Sequence, residues 1–306
     1  MRAKIMLLPG NPAGKKMCSY AEQILTEVSA AFSHTFSLLS EKIGQDSLEA
    51  YDEALTEETV EACQNCQAVF LGDSECPGAE DLYDALNLPL RIRSFWVPQA
   101  ICKPFEHPNS LWLAQMLTLS PEALQAGAQA AFRFAQETEA PLRHIAPTGA
   151  AKADWQEAIR SQENAHPLVP SSSLSAPEAM TQMIETGNAG VILCPPYAGS
   201  IFHAAAQALH LHSELIHDAS FNQEIGVYAP FVTDSEETEF PSVEGAALAV
   251  AKLLRFSLDL PVEAGCVEAA IDNVMAARDR SENAIERICD QISVAGELMG
   301  KSMLTP

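Results

Sequence analysis

Positive charge is scarce in this 306-residue chain: 18 lysines and arginines stand against 41 aspartates and glutamates, a formal net charge of −23. That balance repels phosphate backbones and anionic lipid surfaces, which argues against nucleic acid and membranes as partners. No apolar run reaches the roughly 20 residues needed to cross a bilayer. The start Met1-Arg2-Ala3-Lys4 passes straight into an expected strand without a signal-peptide pattern, so a cytoplasmic protein is expected. Internal repeats and low-complexity tracts are absent. So is a disulfide framework: eight cysteines at irregular spacing suit reduced, mostly buried thiols. Cys63 and Cys66 have CxxC spacing, but no second pair completes a four-ligand zinc site, and they fall late in an expected helix rather than at its start. A hydrolase elbow is missing too, because Phe202 stands where a second glycine would follow Gly199-Ser200.

What is present is ample apolar material, 47% of residues, in a length suited to one large or two ordinary domains. Lys4 to Pro9 is an apolar run leading into Gly10-Asn11-Pro12-Ala13-Gly14. Met17, Tyr20, Ala21, Ile24, Leu25, Val28 and Phe32 then recur at helical steps, which predicts a helix over 16–32. Thr56 can cap a helix with Glu57 and Glu58 in its first turn, ahead of a buried strand Ala68 to Leu71 that ends at Gly72. Ser120-Pro121-Glu122 is a helix start, and Ser175 with Glu178 a capping box ahead of a helix closed by Gly187. Gly190 to Cys194 reads as a strand covered on both faces. Helices are expected over 245–258 and 262–277, with a last one carrying Ile285, Ile288, Ile292 and Leu298. The stretches 106–109, 167–173 and 233–241 read as irregular. Strands alternating with helices define an α/β protein.

Several of these segments, in this order, resemble the isocitrate and isopropylmalate dehydrogenase family of metal-dependent decarboxylating dehydrogenases. Leu8-Pro9-Gly10 with Gly14 is similar to the family's opening turn. Leu55 to Thr59, followed by Ala68 to Gly72 and Pro77, resembles its second βαβ unit. Leu90-Arg91-Ile92-Arg93 ahead of Lys103-Pro104 resembles its substrate-arginine segment, and Ala130-Ala131-Phe132, Gly226 to Pro230 and Leu253 to Leu258 extend the likeness. The resemblance implies a two-domain fold with helices on both faces of a mixed sheet. Its first, cofactor-type domain would span 1–104 plus 234–306, and its second, dimerisation and substrate domain 105–233. It also implies a homodimer, formed through helices around Ala123 to Gln136 and Ala198 to Leu209.

The departures from the family fall where its chemistry should be. A divalent metal polarises the substrate hydroxyl and carboxylate there, and hard cations need carboxylate oxygens. Alignment on the family puts Ser200 and Ala204 at two metal-aspartate positions and the third near Ala176. Ile145-Ala146-Pro147-Thr148-Gly149 takes the place of the catalytic-lysine run, with Lys152 three or four residues late. The segment between Lys103-Pro104 and Phe132 is too short for the catalytic-tyrosine loop and the dimer clasp. After Pro230 the chain reads Phe231-Val232-Thr233-Asp234-Ser235-Glu236-Glu237, an acidic stretch that disfavours a pyrophosphate-bearing cofactor. Gly10, Asn11, Gly14 and Gly72 would form a vestigial cofactor turn.

Gly-Asn-Pro-Ala-Gly is also similar to the opening of the related hydroxythreonine-phosphate dehydrogenases, whose metal is held by histidines. That makes His203 and His210 an alternative metal pair, against the plainer reading of surface or hydrogen-bonded core histidines. Arg93 and Lys103 keep the spacing of two residues that bind substrate carboxylates in the family, and are the candidates for holding a small anion, with lysine a point charge in place of a fork. An arginine in such a cleft is expected to add little to stability. The expectation is therefore a divergent family member without metal-dependent oxidative decarboxylation, without a cofactor, binding a small anion, a protein partner, or both. The alternative is an active NAD(P)-dependent oxidoreductase acting on a 2-hydroxy acid with NAD and magnesium or manganese.

Overall fold

The computed structural model of the chain describes residues 1–95, 111–186, 190–209, 213–232, 242–277 and 283–302. In chain order its elements begin with β1 (Arg2–Leu8), α1 (Pro12–Ala31), β2 (Thr35–Ser40), α2 (Gln45–Tyr51), α3 (Glu57–Gln64), β3 (Ala68–Leu71), α4 (Ala79–Ala85) and β4 (Leu90–Ser94). There follow β5 (Leu111–Met116), α5 (Pro121–Glu137), β6 (Leu142–His144), α6 (Lys152–Ala165), β7 (Ser171–Ser173), α7 (Ala176–Thr186), β8 (Gly190–Cys194) and α8 (Pro196–Leu209). After a short 3-10 turn, Ser213–Leu215, come β9 (His217–Phe221), β10 (Gly226–Pro230), α9 (Val243–Phe256), α10 (Pro261–Ala276) and α11 (Ala284–Ser302).

The strands form one sheet in the order β2-β1-β3-β10-β9-β4-β5-β8-β6-β7. Pairing is parallel from β2 to β10 and from β5 to β7, whereas β9 is antiparallel to both β10 and β4, and β4 to β5. The C-terminal ends of β1, β3, β10 and β4 therefore meet the N-terminal ends of β9, β5, β8 and β6 at one end of the sheet. That end is where the functional side chains gather. The sheet is common to both expected domains, and the proposed divisions at 104/105 and 233/234 fall outside the described residues.

Apolar residues alternate between the two faces as a covered sheet requires. Leu90 and Ile92 of β4, Trp112 and Ala114 of β5 and Ala219 and Phe221 of β9 join the core under α1, α5, α9, α10 and α11. Leu111 and Leu113 face the other way, into the core with α7 and α8. Within the first of these cores α9 is buried almost all round, from Val243 to Phe256. Its run of alanines lets the neighbouring elements approach closely.

The capping expectations hold. Thr56 Oγ1 accepts from the Thr59 amide and Ser120 Oγ from that of Ala123. The box at Ser175 is reciprocal: Glu178 Oε2 accepts from the Ser175 amide and Ser175 Oγ from the Glu178 amide. Helix α9 starts and stops two residues before the expected 245–258. Ser242 supplies its cap, and Asp259, at φ 53°, turns the chain away. Within the stretch expected to be irregular, Ser171–Ser173 is an edge strand on β6, paired through its backbone and therefore without the apolar alternation that marks inner strands. The closing Gly187 lies outside the described residues.

Candidate functional site: a buried arginine cluster

At the end of the sheet just defined, Arg93 on β4 stands opposite Asp218 on β9 in register. Arg93 Nε donates to Asp218 Oδ1 at 2.6 Å and Nη2 to Oδ2 at 2.5 Å, a side-on bidentate pair. Nη2 also donates to Glu75 Oε1 at 2.6 Å, and Nη1 to His203 Nε2 at 2.6 Å. Four of the five guanidinium hydrogens are thus engaged. The Phe231 ring lies 4.6 Å from the guanidinium carbon, and the Arg91 Nη1 lies 3.6 Å from the same Glu75 oxygen. Side-chain exposure divides the partners: 5% for Arg93 and 1% for Asp218 against 47% for Glu75.

Each pKa shift has a clear origin. Burial alone would push the Asp218 carboxyl up, but the Arg93 guanidinium holds it below the usual carboxylate range. Burial would lower the Arg93 value, and Asp218 with Glu75 raises it instead. His203, desolvated and facing Arg93, is lowered to about 4, so it is a neutral acceptor at pH 7. The Tyr83 hydroxyl, fully buried nearby, has no hydrogen-bond partner among the described residues; burial and then Asp218 push its ionisation up.

The expected cofactor turn assembles beside this cluster. Asn11 caps α1, its Oδ1 accepting from the Gly14 amide at 2.7 Å, while its Nδ2 donates to Asp73 Oδ2 at 2.6 Å. Gly14 and Gly72 pack backbone on backbone, so that a β-carbon on either would run into a carbonyl oxygen, of Pro9 or of Gly14. The turn therefore carries its own carboxylate at the positive end of the helix, where a cofactor phosphate would otherwise be attracted. These residues do not fit a pyrophosphate without moving Asp73.

The metal positions fit no better. Ser200 and Ala204 lie exposed on α8, Ala176 is half-buried at the start of α7, and no group of three His, Cys, Asp or Glu side chains among the described residues converges as a metal site. His203 of the alternative pair is hydrogen-bonded to Arg93, while His210 and Lys103 lie outside the described residues, as does the acidic stretch after Val232. One expectation is overturned: Arg93 is no loosely held cleft cation but the counter-ion of a buried carboxylate. Sequence reasoning missed Asp218, Glu75 and Tyr83. A lone acid in the Leu215 to Phe221 stretch, where it stands among Leu, Ile, Ala and Phe with only His217 and Ser220 polar beside it, was the available signal, because a buried carboxylate needs a cation.

The chain forms a mixed sheet sandwiched by helices, with an arginine on β4 beside the turn after β3. Solved structures share it. An isocitrate dehydrogenase from Methylococcus capsulatus superposes with a TM-score of 0.76 at 15% identity, covering 95% of this chain and 99% of that one. A beta-decarboxylating dehydrogenase from Thermococcus kodakarensis gives 0.78 at 15% identity over 99% of both. In sequence, residues 4–91 match the family model described as isocitrate/isopropylmalate dehydrogenase. The 3-isopropylmalate dehydrogenase of Shouchella clausii is 23% identical over 93% of this chain and 94% of its own length. That of Oceanobacillus iheyensis is 33% identical over 24% of this chain and 20% of its own. Over residues 4–91 the chain is thus similar in sequence to the isocitrate/isopropylmalate dehydrogenase family, and over nearly its whole length it shares the fold of the two solved structures.

Proposed function

We propose that this protein is a family member without metal-dependent oxidative decarboxylase activity that binds a small carboxylate at the Arg91–Arg93 pair by displacing Glu75. The observation that carries this reading is the distribution of charge. The buried acid at the site, Asp218, is paired to Arg93, and the metal-aspartate positions hold Ser200 and Ala204. Among the described residues no three carboxylates converge there as the ligand set that a magnesium or manganese ion requires.

Anion binding follows from the same arrangement. Asp218 neutralises one of the two arginines, and the half-exposed Glu75 bridges both. Rotation of Glu75 into solvent frees the Arg93 Nη2 hydrogen that it holds in a partly desolvated place, while Arg91 keeps the exposed Glu80 at 3.2 Å and His203 adds no charge because it is neutral. A ligand carboxylate then takes the position of Glu75 Oε1, with Phe231 as an apolar wall. The test has two arms. Purified protein is assayed for NAD and NADP reduction with isopropylmalate, isocitrate, malate and tartrate in magnesium or manganese. Turnover above about 1 per second, an ordinary enzyme rate, overturns the reading in favour of an active dehydrogenase. Thermal shift with the same acids is compared between wild type and Glu75→Gln. Stabilisation that grows in the variant supports displacement by mass action, and no response in either protein overturns the anion site.

A further inference from the structure

On the other face of the same strands lies a polar group that the reading above does not use. Ser94 Oγ, Trp112 Nε1 and His217 Nε2 are buried and have no hydrogen-bond partner among the described residues. Ser94 on β4 is in register with Trp112 on β5 and with His217 on β9. Side chains in register leave the sheet on the same side, so the three project together, away from Arg93 and Asp218. Their exposures are 0%, 7% and 0%. Pro230 and Val191 continue the row at either end and offer no polar side-chain atom. Above them, Trp112 meets the Phe134 ring edge-on at 6.0 Å, and the Lys252 ammonium stands 5.9 Å from that ring, so α5 and α9 roof the group.

An unpaired buried polar atom costs about 1–3 kcal/mol, and three of them side by side share one remedy. The indole N–H can only donate. His217 Nδ1 lies 2.9 Å from the Leu215 carbonyl oxygen, which can only accept, so the ring hydrogen sits on Nδ1 and Nε2 is a bare acceptor. Burial and then Lys252 lower this imidazole to about 4, which keeps it neutral. The Ser94 hydroxyl serves as donor or acceptor.

We propose that Ser94, Trp112 and His217 form an internal site for a small neutral molecule that both donates and accepts, and that in the resting protein this molecule is water. Its oxygen accepts from Trp112, one hydrogen goes to His217 Nε2, and Ser94 completes the set. A carboxylate is a poor occupant because it has no hydrogen for Nε2, and a metal cation because the indole presents a hydrogen and no carboxylate is in the trio. Such a water ties β9, β4 and β5 together behind the Arg93–Asp218 pair.

The test is a crystal structure of the full chain at a resolution that shows ordered water, together with the nitrogen resonances of His217. Density within hydrogen-bond distance of at least two of the three atoms, with Nε2 unprotonated at neutral pH, supports the site. Empty density, or side chains that close directly on one another, overturns it. A stability comparison reads the same question independently. Ser94→Ala, Trp112→Phe and His217→Phe are each expected to lower the folding equilibrium about tenfold by stranding the atoms left behind. The triple variant, which leaves no polar atom, is expected to lose far less than the product of the three. A loss equal to that product overturns a shared occupant. Should the variants fail to fold, the wild-type density and His217 resonances decide alone.

Discussion

Arg93 shows how far one side chain's meaning depends on a partner distant in sequence. Its position on a strand ahead of Lys103 was legible, and so was a possible affinity for anions. Its pairing was not, because Asp218 lies 125 residues away and meets it only through the β4–β9 register. Arg93→Ala is expected to destabilise the fold by about 3–5 kcal/mol, since it leaves a buried carboxylate unpaired. Replacing both partners, Arg93→Met with Asp218→Leu, should be far milder. Urea unfolding of the three proteins checks this, and a single variant as stable as wild type would return Arg93 to the role of a surface cation. The histidines give a second expectation. His203 and His217 are both lowered to about 4 when folded, so in the unfolded chain they bind protons first as pH falls. Their contribution to stability is therefore full above the ordinary histidine value of about 6.5. It is lost progressively towards pH 4 and is flat below that. Denaturant titrations across this range should show about two protons taken up on unfolding, and His203→Gln with His217→Gln should remove that part of the slope.

At the scale of elements the sequence was far more readable than at the scale of the site. Caps at Thr56, Ser120 and Ser175 and the continuous Val-Ile-Leu strand act through neighbours a few residues away, so local pattern sufficed. What failed was whatever depends on backbone alone: the Ser171–Ser173 strand has no apolar signature, and the antiparallel entry of β9 between β10 and β4 leaves none either. Gly10, Asn11, Gly14 and Gly72 lie between these cases. Their spacing marked a turn, while the structure shows that two of the glycines let α1 rest directly on the end of β3. Gly14→Ala and Gly72→Ala are accordingly expected to destabilise by about 1–3 kcal/mol or more, because a β-carbon meets backbone that cannot swing aside. Gly265, where an added β-carbon meets nothing within 4 Å, is the control. In the middle of α10, Gly265→Ala should be neutral or stabilising by up to about 1 kcal/mol. Thermal melts that rank Gly265→Ala below the other two would contradict this account of the turn.

For the molecule as a whole, the expected homodimer now has an asymmetric choice of surface. Of the two helices named from sequence, α5 has its apolar side packed against the sheet and α6, and shows glutamines 125, 129 and 136 to solvent. The other, α8, is different. Tyr197 and Ile201, one turn apart, are 56% and 64% exposed, Ala204 and Ala208 continue the same side, and Ile184 on the adjoining α7 is 56% exposed. A chain carrying a net charge of −23 resists self-association through long-range repulsion, so contact between copies needs an uncharged patch and should tighten as salt screens the rest. The exposed side of α8, which carries no Asp, Glu, Lys or Arg, is such a patch, and a two-fold arrangement would place each copy's Ile201 against the other's α8. Light scattering at tens of micromolar in physiological salt is expected to give a dimer mass that falls towards the monomer in low salt. Ile201→Glu, an exposed change that leaves the core intact, should yield monomer under both conditions with an unchanged circular dichroism spectrum. A dimer that survives Ile201→Glu would move the interface elsewhere, and a wild type that stays monomeric at high salt would end the case for self-association.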